Sequence, residues 1–183
     1  MQSYRCLAVL PRYEQWVGNV CECYGVDGEI EPEKRTVKTQ MRRYFREHAI
    51  DEREYKKWVH ELLGLKKSIP LAYSADLVFL PVRTRIPNVK NDGAHAYVRL
   101  NAIFKLEDYR VILKSGHHIE CLQNIESLRN AIRRARTVER FLRVEDSKRK
   151  AEQDLIALKL SDGRQFAAMS VVAGEAVKKD SET

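Results

Sequence analysis

A helical repeat between residues 125 and 143 constrains the fold of this chain more than any other feature. Apolar side chains recur there every three or four residues, the spacing of one face of an α-helix: Leu128, Ala131, Ile132, Ala135, Val138 and Leu142. Asn124 precedes the repeat and is suited to cap the helix. Because a continuous apolar face has to be buried, the rest of the chain must supply a surface against which this helix packs.

Arginines occupy a second face of the same predicted helix. They recur at spacings of four and three residues, over about 21 Å at ~1.5 Å per residue: Arg129, Arg133, Arg136, Arg140 and Arg143. Between residues 125 and 143 the only acidic residues are Glu126 and Glu139. Since guanidinium groups pair with phosphate oxygens in a bidentate manner, the stripe favours contact with a nucleic-acid backbone. A solvated face without a partner is the alternative.

Most of the remaining signals are those of strands. Apolar or alternating runs predict strands at 4–10, 16–24, 77–80 and 95–100. Pro11 and Pro81 are expected to end two of them. The segments 109–114 and 117–122 flank Ser115-Gly116 and predict a hairpin. A second hairpin is predicted at 155–172, with a helix through Leu158 as the alternative.

Two short amphipathic helices are predicted between residues 36 and 64. The first begins at Thr36, and Lys38, Arg42 and Arg46 follow one of its faces. The second ends at Gly64, which is suited to a C-terminal cap. The pair is compatible with a helix-turn-helix that enters a DNA groove and with a plain helical hairpin.

Together these elements predict an α+β fold: a mainly antiparallel sheet with an inserted helical pair and one long basic C-terminal helix. A single DNA-binding domain is expected over 1–160. A C-terminal hairpin strand and a disordered tail are expected over 161–183.

An exposed basic loop is predicted at 83–93, a segment that contains one proline, two asparagines and one glycine. Basic side chains on such a loop can enter the minor groove of A·T tracts, where the potential is most negative. Asn88 offers a short donor to minor-groove acceptors. Together with the helices, the loop gives the following candidate DNA-binding residues: Arg42, Arg46, Arg83, Arg85, Asn88, Lys90, Arg129, Arg133, Arg136 and Arg140.

The distribution of charge supports a polyanionic partner. The net charge is +7, and the basic residues concentrate at 34–65, 66–90 and 125–150, between acidic ends. No apolar run approaches the roughly 18–20 residues that span a bilayer, so no membrane partner is expected. The N-terminus lacks the apolar core of a signal peptide. We therefore expect a cytoplasmic protein whose four cysteines are buried thiols.

Catalytic and metal sites are not expected. Gly116-His117-His118-Ile119 resembles the start of a His-His nuclease motif, but no histidine follows His118 to serve as the further metal ligand. Cys21 and Cys23 could join His117, His118 or Cys121 on zinc, but their spacing matches no common zinc pattern. No glycine-rich phosphate loop is present. We predict a non-enzymatic protein without a cofactor; a non-catalytic RNA-binding or protein-interaction module is the main alternative, and a nuclease a lesser one.

From about Arg35 to Arg136 the features follow a definite order. After a basic segment they are Lys67-Ser68-Ile69-Pro70, Leu77-Val78-Phe79-Leu80-Pro81, the loop Arg83–Asn91, the strand His95–Leu100, the hairpin Tyr109–Leu122 and the helix Ile125–Arg136. This order resembles that of the bacterial competence transcription factor ComK family. The tryptophan that the family usually carries after the loop is absent from Pro87-Asn88-Val89-Lys90. The family's C-terminal segment also has no counterpart.

The resemblance implies an activator of DNA-uptake genes that binds A·T-rich boxes of double-stranded DNA, largely through the minor groove. It further implies assembly as a homo-oligomer and control by adaptor-mediated proteolysis. The two departures concern the exact DNA box and the adaptor contact, so the DNA-binding activity carries over better than either.

Overall fold

The computed structural model describes the backbone of residues 1–90 and 92–179 and the side chains of these residues as far as Ile156. The expected α+β class is confirmed: a large antiparallel sheet is combined with a helical pair and a long C-terminal helix. The strands are β1 (Cys6–Glu14), β2 (Gly18–Gly25), β3 (Ile30–Glu33), β4 (Leu71–Ser74), β5 (Leu77–Arg83), β6 (His95–Arg99), β7 (Ile103–Glu107), β8 (Arg110–Leu113) and β9 (His118–Glu120). The helices are α1 (Val37–Glu47), α2 (Glu52–Leu63) and α3 (Ile125–Lys179).

The strands form two antiparallel sheets. The larger one has the order β3-β2-β1-β6-β5-β4, and the smaller one has the order β7-β8-β9. Pairing of β1 with β6, through Ala8 and Val98 among others, joins the N-terminal strands to those that follow the helical pair. The hairpin predicted around Ser115-Gly116 is confirmed as β8 and β9.

Two strands continue through prolines that were expected to end them. Pro11 lies within β1 opposite Cys21, and Pro81 lies within β5 opposite Tyr97. A proline cannot donate a ladder hydrogen bond, so it needs a strand side without a partner. Both prolines have one, because β6 pairs β1 only at Ala8 and Val9, while β4 does not extend along β5 as far as Pro81.

Aromatic side chains link the helical pair to the larger sheet. Tyr44 of α1 and Phe79 of β5 are fully buried, with ring centroids 6.3 Å apart. Phe45 packs on Tyr73 at 4.8 Å. The apolar face predicted for α3 is also buried, at Leu128, Ala131, Ala135 and Val138. The helices therefore cover a sheet whose core is continuous with theirs.

Short polar contacts fix where the helices begin and end. Thr36 and Asp51 accept backbone hydrogen bonds at the starts of α1 and α2. The backbone hydrogen bonds from Glu54 and Arg53 lower the pKa of the Asp51 carboxyl. Gly64 ends α2 in a left-handed conformation, and Asn124 accepts from Ser127 N at 3.0 Å at the start of α3. The predicted caps at Gly64 and Asn124 are confirmed, and the helix that was predicted to begin at Thr36 begins at Val37, with Thr36 as its cap.

The hairpin predicted at 155–172 is wrong, and its helical alternative is correct. The α3 backbone is continuous from Ile125 to Lys179, so Ser161-Asp162-Gly163 lies inside the helix. A glycine in a helix costs only about 1 kcal/mol relative to alanine, and the surrounding alanine, leucine and lysine favour continuation. The chain divides into two compact units after Leu142, within α3. Residues 180–183 of the predicted tail lie outside the described residues.

All four cysteines are free and buried, as expected. Hydrogen bonding to Cys23 and burial raise the pKa of the Cys6 and Cys21 thiols, and burial raises that of Cys121.

None of the helices in the described part of the chain combines the length and apolar character needed to cross a bilayer.

Candidate nucleic-acid interface

The arginine stripe of α3 is exposed along the first unit of the chain. Arg129, Arg133, Arg136 and Arg140 all reach solvent, on the side of the helix away from its buried apolar face. Glu126 Oε1 lies 2.5 Å from Arg129 Nη1, and Glu126 Oε2 lies 4.0 Å from Arg133 Nη2. Because these pairs are exposed, their attraction is weak, and the guanidinium groups stay available to an external anion.

Three of these arginines line a groove with β7, which we call the β7–α3 groove. Its volume is about 400 Å³. Its half-buried apolar residues are Leu100, Ile103, Leu106 and Ile132. Its exposed residues are Phe104, Lys105, Arg129, Arg133 and Arg136. The groove thus combines an apolar lining with a concentration of positive charge.

Among the residues that the structure describes, the four cations of the groove outnumber the two carboxylates that pair with them. Lys105 donates to Glu107 at 2.8 Å, and this bond lowers the pKa of the Glu107 carboxyl. Glu126 is the acid beside Arg129 and Arg133. Phe104 and Lys105 were not among the sequence candidates, because β7 is a short strand far from α3 along the chain.

The 83–93 loop is anchored by Arg85. Arg85 Nε donates to the Gly93 carbonyl at 2.9 Å, and a terminal nitrogen donates to Asn19 Oδ1 at 2.7 Å. Its guanidinium carbon lies 4.2 Å from the centroid of the Tyr13 ring, a cation–π geometry. With these contacts Arg85 serves to hold the loop against β1 and β2, which differs from the DNA contact expected for it.

Tyr13 secures the same loop at two further points. Its hydroxyl donates to Asp92 at 2.7 Å and accepts from the Asn88 backbone at 2.8 Å. The side chains of Asn88 and Lys90 remain exposed. The loop therefore presents the Asn88 side chain, and that of Lys90 close to it, from a backbone that Tyr13 holds at Asn88.

Replacement of Arg85 by alanine is expected to lower the free energy of unfolding by about 1–2 kcal/mol, because two hydrogen bonds and a cation–π contact are lost. Proteolytic cleavage within 83–93 is expected to accelerate. Urea unfolding and limited trypsin digestion measure the two effects. The exposed Arg83→Ala serves as the control and is expected to change stability by less than about 0.5 kcal/mol. Equal stability of the two variants would contradict the anchoring role.

The start of this loop is joined to the start of α3. The Arg83 backbone N–H donates to the Gln123 side chain at 2.7 Å, and the Arg83 carbonyl accepts from Leu122 N at 2.7 Å. Burial and the charge of Arg83 lower the pKa of His95. The structure thus brings the root of the basic loop next to the segment that precedes the arginine stripe.

The helical pair contributes less to such an interface. Arg42 is paired with Glu52 across α1 and α2 at 3.0 Å, while Arg46 is exposed. Neither arginine lines the β7–α3 groove. The exposed face of α2 alternates bases and acids: Arg53, Glu54, Lys57 and Glu61. Since these acids repel phosphate, the pair fits a plain helical hairpin better than a groove-entering helix-turn-helix.

The two histidines of the β8–β9 hairpin are not arranged with other described side chains as a metal site. His117 lies edge-on to Tyr24 at 5.2 Å and hydrogen-bonds Ser115 at 3.1 Å. His118 is exposed. Within the part of the chain that the structure describes, no group of three or more histidine, cysteine or acidic side chains is arranged to hold a metal ion.

In comparisons with known proteins, no family model, no curated protein and no solved structure matches this chain.

Proposed function

We propose that this protein is a transcription regulator that binds double-stranded DNA and prefers A·T-rich sequences. The observation that carries the proposal is the exposed arginine stripe on a helix whose opposite face is buried. From Arg129 to Arg140 the stripe extends over about 16 Å, and duplex DNA carries a negative charge about every 1.7 Å along its axis. One helix can therefore contact several phosphates.

Phosphate contacts position a protein on DNA but carry no sequence information. We assign the preference for A·T pairs to the 83–93 loop. Arg83, Asn88 and Lys90 are exposed on this loop, and Tyr13 and Arg85 hold its backbone. An anchored loop loses less conformational entropy on binding. Because the loop root adjoins the segment before α3, the positioning and selecting elements can act on the same duplex.

The resemblance to the ComK family extends this proposal. On that basis the protein activates competence genes for DNA uptake, acts in the cytoplasm as a homo-oligomer and is controlled by adaptor-mediated proteolysis. No catalytic step and no cofactor enter the proposal. The arginines of α3 contact phosphates, and Arg83, Asn88 and Lys90 of the 83–93 loop contact the groove of the duplex.

The salt dependence of binding tests the electrostatic part of the proposal. If the four arginines of the stripe each neutralise one phosphate, log affinity should fall with log salt concentration with a slope of about −3.6. The slope is obtained from fluorescence anisotropy titrations of a labelled A·T-rich duplex at several salt concentrations between about 50 and 200 mM. A slope near zero would contradict phosphate binding.

A further inference from the structure

We propose that the β7–α3 groove binds an unpaired nucleobase, so that the protein holds single-stranded as well as double-stranded nucleic acid. The inference rests on the proposed nucleic-acid binding and adds to it a second kind of ligand. Phe104 is the stacking surface, and the arginines of α3 hold the phosphates on either side of the stacked base.

Phe104 is placed for stacking. Phe104 is 73% exposed, although its neighbours in the groove, Ile103 and Leu106, are half-buried. An exposed phenylalanine forgoes the free energy that its burial would contribute. Its ring face can accept any nucleobase, because every base has a π face. The arrangement matches the aromatic platforms of proteins that bind single strands.

The arginines supply the matching charge. Arg129, Arg133 and Arg136 line the groove with Phe104, and they extend over about 10 Å of α3. Their planar groups can pair with phosphate oxygens and can also stack on bases. Lys105 adds a fourth cation next to the phenylalanine. Single-strand binding sites combine these same two components, a basic groove and an aromatic surface.

The size of the groove favours an unpaired base over other occupants. Its volume of about 400 Å³ lies near the lower end of the ~300–1,000 Å³ typical of small-ligand pockets. A docked α-helix is about 10–12 Å in diameter and needs more room. Bases inside a duplex are stacked on each other, so only an unpaired or extruded base offers a free face to Phe104.

Binding of the full chain to three labelled probes tests the inference: an eight-nucleotide thymidine strand, an abasic strand of the same length and an A·T-rich duplex. Phe104→Ala is expected to weaken binding of the thymidine strand by about tenfold or more. Affinity for the abasic strand and for the duplex is expected to change by less than about twofold, since phosphate contacts remain. Tyr4→Ala is the matched control, because Tyr4 is 62% exposed and lies outside the groove.

Two further variants separate stacking from apolar docking. Phe104→Trp is expected to retain or improve binding of the thymidine strand, whereas Phe104→Leu is expected to lose it as alanine does. Full binding by the leucine variant would overturn the inference and favour an acidic, apolar protein segment as the occupant. An eight-nucleotide uridine strand bound as well as the thymidine strand would support the inference and show that the sugar is not distinguished.

The wild-type protein provides the remaining outcomes. Binding of the duplex without binding of the thymidine strand would overturn this inference and leave the proposed function intact. If the wild-type protein bound none of the three probes, both this inference and the proposed function would be overturned. An equal loss of thymidine-strand and abasic-strand binding in Phe104→Ala would also overturn the inference, because the base would then play no part.

Discussion

Replacement of Arg133, Arg136 and Arg140 together by glutamine is expected to weaken binding to every duplex sequence by roughly tenfold to 100-fold. Each arginine that loses an exposed phosphate contact costs about 0.5–1 kcal/mol. Because phosphate contacts do not specify sequence, A·T-rich and G·C-rich duplexes should lose affinity to a similar extent. The slope of log affinity against log salt should become shallower by about 2.7. Anisotropy titrations at several salt concentrations measure both quantities.

A second triple variant controls for net charge. Arg53, Lys57 and Lys66 are exposed on or just after α2, and their change to glutamine removes the same three positive charges. This variant is expected to retain most of its affinity and its salt slope. Equal losses in both variants would show that overall charge, and not the α3 stripe, determines binding.

Phe79→Ala is expected to lower the free energy of unfolding by about 3–5 kcal/mol. Phe79 is fully buried in β5, and its ring lies 6.3 Å from that of Tyr44 and 6.0 Å from that of Tyr73. Removal of the ring leaves a cavity at the contact between α1 and the larger sheet. Such a loss is a large fraction of the ~5–15 kcal/mol by which a domain is stable.

Urea unfolding measures the free energy of unfolding of Phe79→Ala, and Phe104→Ala serves as the exposed control. The same substitution at Phe104, which is 73% exposed, should cost less than about 0.5 kcal/mol. A small cost at Phe79 would contradict its place in the core. A large cost at Phe104 would contradict its exposed position on β7.

The features that were predictable from sequence are those set by neighbouring residues. The 3.6-residue repeat of α3 extends over many turns, and its cap at Asn124 depends on a contact with Ser127 only three residues away. The β8–β9 hairpin depends likewise on the local turn at Ser115-Gly116. The turn signal at Ser161-Asp162-Gly163 was misleading, because the helix propensity of the residues on both sides outweighs one glycine.

The features that were not predictable depend on pairing between distant residues. Continuation of β1 through Pro11 depends on how far β6 extends beside it. The structural role of Arg85 depends on Tyr13 and Asn19, which lie more than sixty positions earlier in the chain. The β7–α3 groove depends on the position of Phe104 and its neighbours in β7 beside a helix that begins about twenty residues later. Periodicity and composition carry no information on these contacts.

The most direct test of the proposed function is the relative affinity of the full chain for an A·T-rich duplex, a G·C-rich duplex and single-stranded RNA of equal length at one salt concentration. We expect the A·T-rich duplex to bind most tightly, by about tenfold over the G·C-rich duplex, and the RNA to bind more weakly than the A·T-rich duplex. Equal affinity for the two duplexes, or tightest binding to RNA, would contradict a regulator that selects A·T-rich DNA.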